Sequence, residues 1–145
     1  MILCDVNVLV YAYRREAPDH QRYAQWLRDV VASDEAQGVS DHVLSGFVRV
    51  VTHPRVFKLP APVDEALAFA RALREQPNAV PIAPGERHWG IFERLCREGG
   101  AKGNLVPDAY LAALAIEHGA ELVTSDRDFA RFPGLRRRHA LAAGA

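Results

Sequence analysis

The chain has 145 residues, of which 49% are hydrophobic and 25% are charged, as is usual for a globular protein. Its 18 basic and 18 acidic side chains cancel, which excludes a whole-molecule attraction to nucleic acid or to an anionic membrane. Two cysteines are too few for a disulfide framework, and we recognise neither a signal peptide nor a membrane span. We therefore expect one domain over residues 1–145 and a cytoplasmic location.

The chain begins with a short apolar run, Ile2 to Cys4, that passes directly into Asp5. Such a run is typical of a strand buried on both faces, and the change to Asp5 marks where the strand leaves the core. In open α/β sheets, ligands bind at the carboxyl ends of strands, where Asp5 is expected to lie. The alternative is that Asp5 and Asn7 only turn the chain and cap a helix.

Helices and strands alternate along the rest of the chain. Amphipathic spacing predicts the helices, and short apolar runs predict the strands. The predicted elements are a helix over 19–31, a strand over 38–40, a helix from 41 to before Pro54, a helix over 64–75 with Leu67 facing inward, a strand over 79–83, helices over 86–96 and 107–118, a strand over 121–124 and an edge strand within 135–141. This alternation indicates an α/β fold in which helices flank a central parallel sheet.

Four aspartates occupy positions that this fold brings to one edge of the sheet. Asp5 ends the first strand, Asp108 lies in the first turn of the clearest helix, and Asp126 and Asp128 follow the strand over 121–124. Two like charges about 4 Å apart cost about 4 kcal/mol at an effective dielectric constant of about 20. Such a cluster therefore requires either protonation or a divalent cation, and oxygen ligands favour Mg²⁺ or Mn²⁺ over Zn²⁺.

Each acid also has a structural explanation. Asp108 is favoured near a helix N-terminus by the helix macrodipole, whatever its function. Ser125 and Asp128 have the spacing of a capping box, so Asp128 has an alternative role in securing the next turn. Acids at two strand exits and one helix start nevertheless favour the metal site when they are considered together.

The sequence resembles the PIN-domain ribonucleases, specifically the toxins of VapBC type. The stretches that carry the resemblance are DVNVLVYA at 5–12, GFVRVVTHPRVF at 46–57, GNLVPDAYLAALAIEHG at 103–119 and TSDRDFARFPG at 124–134. The resemblance spans nearly the whole chain, is most specific in the last two stretches and is weaker through residues 60–100. It implies a Rossmann-like fold and an endoribonuclease that depends on Mg²⁺ or Mn²⁺.

The resemblance also implies roles for individual residues. Asp5, Asp108 and Asp126 fall on the catalytic and metal-binding acidic positions of the family. Asp128 falls on a frequent additional acidic position, and Asn7 and Thr124 match polar neighbours that support the site. The expected partners are an RNA substrate (a tRNA or rRNA whose cleavage inhibits translation), an antitoxin of VapB type whose C-terminal segment enters the acidic cleft, and a second copy of the chain in a homodimer.

One departure from the family concerns the helix after the second strand. Many PIN domains carry a glutamate where this chain has Gly46, which leaves open whether the site holds one metal ion or two. Asp41 is a possible substitute, although capping alone explains an acid at a helix start. The departure also leaves open a second interpretation, in which the chain is a catalytically weakened PIN-fold module that binds an antitoxin partner.

Three basic residues of the second helical stretch are candidates for contacting RNA. Arg49 and His53 are at helical spacing on the side away from the apolar face, and Arg55 follows. The alternative for each is a solvated surface charge. A phosphoryl-transfer enzyme is the remaining rival, but haloacid-type phosphatases need a second aspartate two positions after the first, where this chain has Asn7.

Overall fold

The computed structural model describes residues 1–142 and confirms the predicted α/β fold. The predicted single domain extends to residue 145, so its last three residues lie outside the described residues. In chain order the elements are β1 (Ile2–Cys4), α1 (Val6–Tyr13), α2 (His20–Ala32), β2 (Gln37–Val39), α3 (Asp41–Val51), α4 (Val63–Arg74), β3 (Ala79–Pro81), α5 (His88–Glu98), α6 (Leu105–Glu117), β4 (Glu121–Val123), a short 3-10 helix (Arg127–Arg131) and β5 (Arg137–Arg138).

The sheet has the strand order β3-β2-β1-β4-β5, and every paired strand is parallel to its neighbour. β1 is central, because Ile2 lies beside Gln37 of β2 on one side and beside Glu121 of β4 on the other. The chain winds outward from β1 to β3 and then returns to add β4 on the opposite side of β1. This reversal leaves a crevice between the carboxyl ends of β1 and β4, where open α/β sheets bind ligands.

α6 is buried almost all round, which explains its alanine-rich sequence. The alanines at 109, 112, 113 and 115 and Leu114 have no exposed surface. Small side chains let this helix lie close to both β4 and α5, which it contacts. The first turn of α6 is therefore held firmly by the core, and Asp108 is held with it.

α1 begins directly after β1 and was not predicted as a helix. Asp5 adopts an extended backbone conformation, and its Oδ1 accepts a hydrogen bond from the Val6 N–H at 2.7 Å. The following residues are rich in valine, which lowers helix propensity. Burial overrides that preference, because Val8, Leu9 and Val10 are buried in a helix that packs against α2 and α3.

The structure corrects one predicted helix face. Leu67 was expected to face inward, but 47% of its surface is exposed, and Ala66 occupies the fully buried position beside it. The helix over 64–75 is otherwise confirmed as α4. No helix within residues 1–142 combines the length and apolar character needed to cross a membrane.

Two helical glycines differ in the space around them, and this difference predicts opposite responses to alanine. A Cβ at Gly90 in α5 would meet no other atom within 4 Å, whereas a Cβ at Gly46 in α3 would lie 3.0 Å from Val6 Cγ2. We expect Gly90→Ala to raise the free energy of unfolding by about 0.5–1 kcal/mol, because alanine loses less backbone entropy on folding. The increase in the free energy of unfolding should be smaller for Gly46→Ala, because the side chain of Val6 must shift to make room for the new Cβ.

Urea unfolding monitored by circular dichroism measures both changes. A stabilisation of equal size in the two variants would show that the contact between α1 and α3 at Gly46 has no energetic effect.

Candidate functional site

The carboxyl ends of β1 and β4 open into a cleft of about 400 Å³. Its walls come from the start of α1, one face of α3, the first turn of α6 and the segment after β4. Among the residues that line it are Asp5, Asn7, Gly46, Arg49, Asp108 and Asp126. The topology therefore brings together the three aspartates that the resemblance implied to be catalytic, as well as Asn7, whose side chain is exposed at the cleft.

A chain of hydrogen bonds fixes the acids at the ends of the two strands. Thr124 Oγ1 donates to Asp5 Oδ2 at 2.8 Å, although the two residues are 119 positions apart in the sequence. The same Thr124 oxygen accepts a hydrogen bond from the Asp126 N–H at 3.0 Å. Asp126 Oδ1 in turn accepts from the Asp128 N–H at 2.8 Å and caps the short helix that follows. Thr124 therefore couples the orientation of Asp5 to the backbone that carries Asp126.

The carboxylates divide into a buried member and a cluster that opens to solvent. Asp108, Asp126 and Asp128 each offer a carboxylate oxygen, and these oxygens lie within 4.8 Å of one another. Asp5 lies in the same cleft but not in this group of three, and only 9% of its surface is exposed. The prediction that Asp5 binds the metal remains a prediction, and Asp128 is closer to the other acids than the sequence alone suggested.

Burial and charge repulsion raise the pKa values of two of these carboxyl groups, Asp108 and Asp5. The pKa of Asp108 rises from 3.8 to about 6, because the carboxyl is partly buried and because Asp126, Asp5 and Asp128 repel its charge. Burial also raises the pKa of Asp5, with a smaller contribution from Asp126, although hydrogen bonds from Thr124 and the Val6 backbone oppose the shift. Carboxylates that repel one another while presenting oxygens at this separation fit a hard divalent cation such as Mg²⁺ or Mn²⁺.

This repulsion predicts how the stability of the metal-free protein changes with pH. The folded-state pKa of Asp108 lies above the unfolded value, so the folded protein holds this proton more tightly and loses stability as the pH rises from about 4 through about 6. Asp108→Asn removes that loss. At pH 7 we expect the free energy of unfolding of the variant to exceed that of the parent by about 1–2 kcal/mol, a gain that is limited because solvent screens part of the repulsion. Near pH 4 the two proteins should be equally stable.

Urea unfolding in a chelating buffer at several pH values measures the difference between Asp108→Asn and the parent. A difference that grows toward low pH would contradict the sign. Added Mg²⁺ should stabilise the parent more than the variant if the carboxylate takes part in binding the cation.

The α3 wall of the cleft carries no carboxylate. Gly46 occupies its centre, and Arg49 also lines the cleft. Asp41 lies outside the cleft, where it pairs with Arg74 of α4, and so does not replace the glutamate that the family often carries.

The other two predicted RNA contacts lie in the turn after α3 and do not line the acidic cleft. His53 Nδ1 accepts a hydrogen bond from the Arg55 N–H at 3.0 Å, which gives His53 a role in closing that turn. Sequence reasoning missed a different residue, His42, which lines the cleft from the first turn of α3. His42 lies four residues before Gly46 and seven before Arg49, so the three residues form one stripe along α3. This spacing is the sequence signal that could have identified His42 as a cleft residue.

Comparisons with known proteins show the family to which this fold belongs. The family model described as the PIN domain matches residues 2–135. Ribonuclease VapC25 of Mycobacterium tuberculosis is 42% identical over 136 residues, covering 94% of this chain and 96% of the relative. Ribonuclease VapC43 of the same species is 45% identical over 141 residues, covering 97% and 96%.

Solved structures share the fold at lower identity. VapBC2 of Rickettsia felis, bound to a promoter DNA fragment, has a TM-score of 0.68 and 21% identity, and the match covers 96% of this chain and 98% of that chain. Mycobacterium tuberculosis VapC20, described as a toxin that cleaves the sarcin-ricin loop, has a TM-score of 0.64 and 18% identity, with coverage of 94% and 99%. With its sheet topology, its acidic crevice and close relatives along nearly its whole length, the chain belongs to the PIN-domain family and, within it, to the VapC ribonucleases.

Proposed function

We propose that the chain is an endoribonuclease that depends on Mg²⁺ or Mn²⁺ and acts as the toxin of a type II toxin–antitoxin system. The observation that carries this proposal is the convergence of Asp5, Asp108 and Asp126, from the ends of two neighbouring strands and the start of a buried helix, in one cleft. The carboxylate of Asp128 lies beside those of Asp108 and Asp126. Structural capping explains single members of this set, but it does not explain why mutually repelling carboxylates are gathered within 4.8 Å. The proposed catalytic and metal-binding residues are Asp5, Asp108 and Asp126, with Asn7, Thr124 and Asp128 in supporting positions.

Asp108 and Asp126 would hold the cation, Asp5 would complete the set from the buried side of the cleft, and Asp128 would support it from the solvent side. When bound, such a cation supplies Lewis-acid stabilisation of the charge that develops on a phosphodiester during hydrolysis. Only oxygen ligands are offered by these four side chains, which suits Mg²⁺ and Mn²⁺. Thr124 keeps Asp5 in one orientation, because its hydroxyl donates to Asp5 Oδ2.

The remaining chemistry belongs to the side chains of the chain itself. Asp126 Oδ1 is engaged by the Asp128 N–H, which fixes the carboxylate and leaves its Oδ2 to orient the attacking water and accept its proton. Water attacks the phosphorus, the bond to the leaving ribose oxygen breaks, and that oxygen takes up a proton. Arg49 lines the opposite wall and has no ion-pair partner within residues 1–142, and it would bind a backbone phosphate of the RNA.

The direct test is incubation of the purified protein with tRNA and rRNA in buffers that contain Mg²⁺, Mn²⁺ or a chelator. We expect discrete RNA fragments in the presence of either cation and intact RNA with the chelator. Calorimetric titration of Mn²⁺ in the absence of RNA gives an independent readout of cation binding. Cleavage that persists unchanged in the chelator would overturn the proposal.

The proposed partners are an antitoxin of VapB type and a second copy of the chain. Several structural neighbours are toxin–antitoxin complexes, including VapBC2 of Rickettsia felis and VapBC-1 of nontypeable Haemophilus influenzae. Expression of the chain in bacteria should arrest growth, and coexpression of the antitoxin that it binds should restore growth. Light scattering of the purified protein measures the oligomeric state, and a mass of one chain at micromolar concentration would contradict the homodimer.

A second function, that of a catalytically weakened module which binds an antitoxin, is favoured by one observation. The α3 wall offers Gly46 where many PIN domains have a glutamate, so the described cleft has acids on only part of its circumference. The two functions differ in the growth assay. A weakened module would bind the antitoxin but would neither cleave RNA nor arrest growth.

A further inference from the structure

The histidine that lines the cleft differs from the other histidines in its hydrogen bonding. The chain has six histidines, all within the described residues. Five of them use a ring nitrogen in a hydrogen bond to the backbone, at distances of 2.7–3.0 Å: His20, His53, His88, His118 and His139. Within residues 1–142, the imidazole nitrogens of His42 make no hydrogen bond, although His42 is exposed and lines the acidic cleft.

The ring of His42 is supported from behind by an aromatic cluster. It packs against Tyr110 of α6, with ring centroids 5.1 Å apart and planes tilted by 48°. Tyr110 is itself held by an edge-on contact with His88 at 4.4 Å and by Phe92 at 5.7 Å. His88 is buried, and its Nε2 is 2.9 Å from the Tyr110 carbonyl oxygen. Because the ring of His42 is already packed against Tyr110, it loses little additional conformational entropy when another flat group packs on it.

His42 also stands in a defined position relative to the proposed catalytic residues. His42, Gly46 and Arg49 form one stripe along α3, and all three line the cleft that contains Asp5, Asp108 and Asp126. At 1.5 Å of rise per residue, His42 and Arg49 lie about 10 Å apart along the helix axis. Gly46 lies between them on the stripe, and because it has no side chain, no group projects from the middle of the stripe. The wall therefore presents an aromatic ring at one end and a guanidinium at the other.

We propose that His42 is a stacking platform for an unpaired base of single-stranded RNA next to the phosphate that is cleaved. The proposal rests on the proposed function, which it deepens by assigning a substrate-positioning residue. Single-stranded RNA is bound largely by stacking of its bases on aromatic side chains, histidine included, while cationic side chains bind the phosphates. Arg49 supplies the cation of this wall, and the ring of His42, which packs against Tyr110, supplies the flat aromatic surface.

Three substitutions of His42 separate the contributions of stacking and of charge to RNA binding. They are made in a protein that also carries Asp126→Asn, so that the RNA is not cleaved during the measurement. His42→Phe keeps a flat ring, His42→Lys keeps only a positive charge, and His42→Ala keeps neither. Affinity is measured by fluorescence anisotropy with labelled oligouridylate and oligoadenylate in Mg²⁺ buffer. A fluorescent adenine analogue in the same RNA reports stacking through the quenching of its emission.

We expect His42→Phe to bind within about 3-fold of the parent, because stacking tolerates a change of ring. His42→Ala and His42→Lys should each weaken binding by about 5- to 150-fold and abolish the quenching. The salt dependence of binding should be unchanged in the Phe and Ala variants, whereas Arg49→Ala should reduce its slope by about 1. His139→Ala is the matched control, because it removes an exposed imidazole that lies outside the cleft lining.

Three outcomes would overturn the assignment. Full affinity in His42→Lys with loss in His42→Phe would show that His42 contributes charge, and full affinity in His42→Ala would show that it contributes nothing. An equal loss in His139→Ala would show that the effect is not specific to the ring in the cleft. If the protein without the Asp126→Asn substitution still cleaves RNA in these cases, only the stacking role fails. If that protein neither binds nor cleaves RNA, the proposed function is refuted as well.

Discussion

Asp126→Asn is expected to lower the rate of RNA cleavage by about 100- to 10,000-fold, the range typical for loss of a positioned proton acceptor. The substitution conserves size, and the Oδ1 of asparagine can still accept the hydrogen bond that the Asp128 N–H donates at 2.8 Å. The loss should therefore reflect chemistry rather than unfolding. Fragment formation from tRNA and rRNA at saturating Mg²⁺ measures the rate, and thermal unfolding of the same samples measures the fold.

Asp34→Asn is the matched control for this substitution. Asp34 is exposed, makes no hydrogen bond or ion pair through its side chain within residues 1–142, and lies away from the cleft, so its replacement should leave cleavage unchanged. Binding of Mn²⁺ should weaken in Asp126→Asn but not in Asp34→Asn. Cleavage by Asp126→Asn at the parental rate would remove Asp126 from the site.

Phe47→Ala is expected to lower the free energy of unfolding by about 3–5 kcal/mol, which is a large share of the stability of a typical domain. Phe47 of α3 has no exposed surface. Its ring centroid is 5.3 Å from Tyr13 of α1 and 5.0 Å from Phe69 of α4, so one side chain joins three helices. Alanine leaves a cavity at this junction and removes the ring contacts.

Chemical unfolding in urea measures this loss, and Leu67→Ala supplies the comparison. Leu67 lies on α4 but is 47% exposed, so truncating it should change the free energy of unfolding by less than about 1 kcal/mol. Similar losses in the two variants would show that the cluster of three rings does not control the stability of the helical layer. Phe47 is also one residue from Gly46, so partial unfolding at this junction should loosen the α3 wall of the cleft.

The element order of the fold could be predicted because strands and helices leave different patterns in the sequence. β1 and β4 are apolar runs that end in polar residues. Pro54 marks where α3 stops, and Pro107 lies in the first turn of α6. α1 could not be predicted in this way. Its valine-rich run fits a strand as well as a helix, and only its packing against α2 and α3 decides between them.

The candidate site was predictable in its residue types but not in its detailed arrangement. Aspartates at strand exits follow from the topology, so the convergence of Asp5, Asp108 and Asp126 could be anticipated. The closer association of Asp128 with Asp108 and Asp126 depends on the short helix after β4, whose path no local pattern specifies. The place of His42 in the cleft depends in turn on how α3 is rotated against α6, and side-chain packing sets that rotation.

The position of β4 beside β1 has a consequence for the synthesis of the protein. A nascent chain emerges from the ribosome with Asp5 first, but the hydroxyl that orients Asp5 belongs to Thr124, 119 positions later. Until β4 enters the sheet, the first strand has no neighbour on that side, and Asp126 and Asp128, which follow β4, are not in place. If these acids act as proposed, a nascent chain that has not yet added β4 and the residues after it should leave RNA intact, so activity begins only once the two separated halves of the site have been joined.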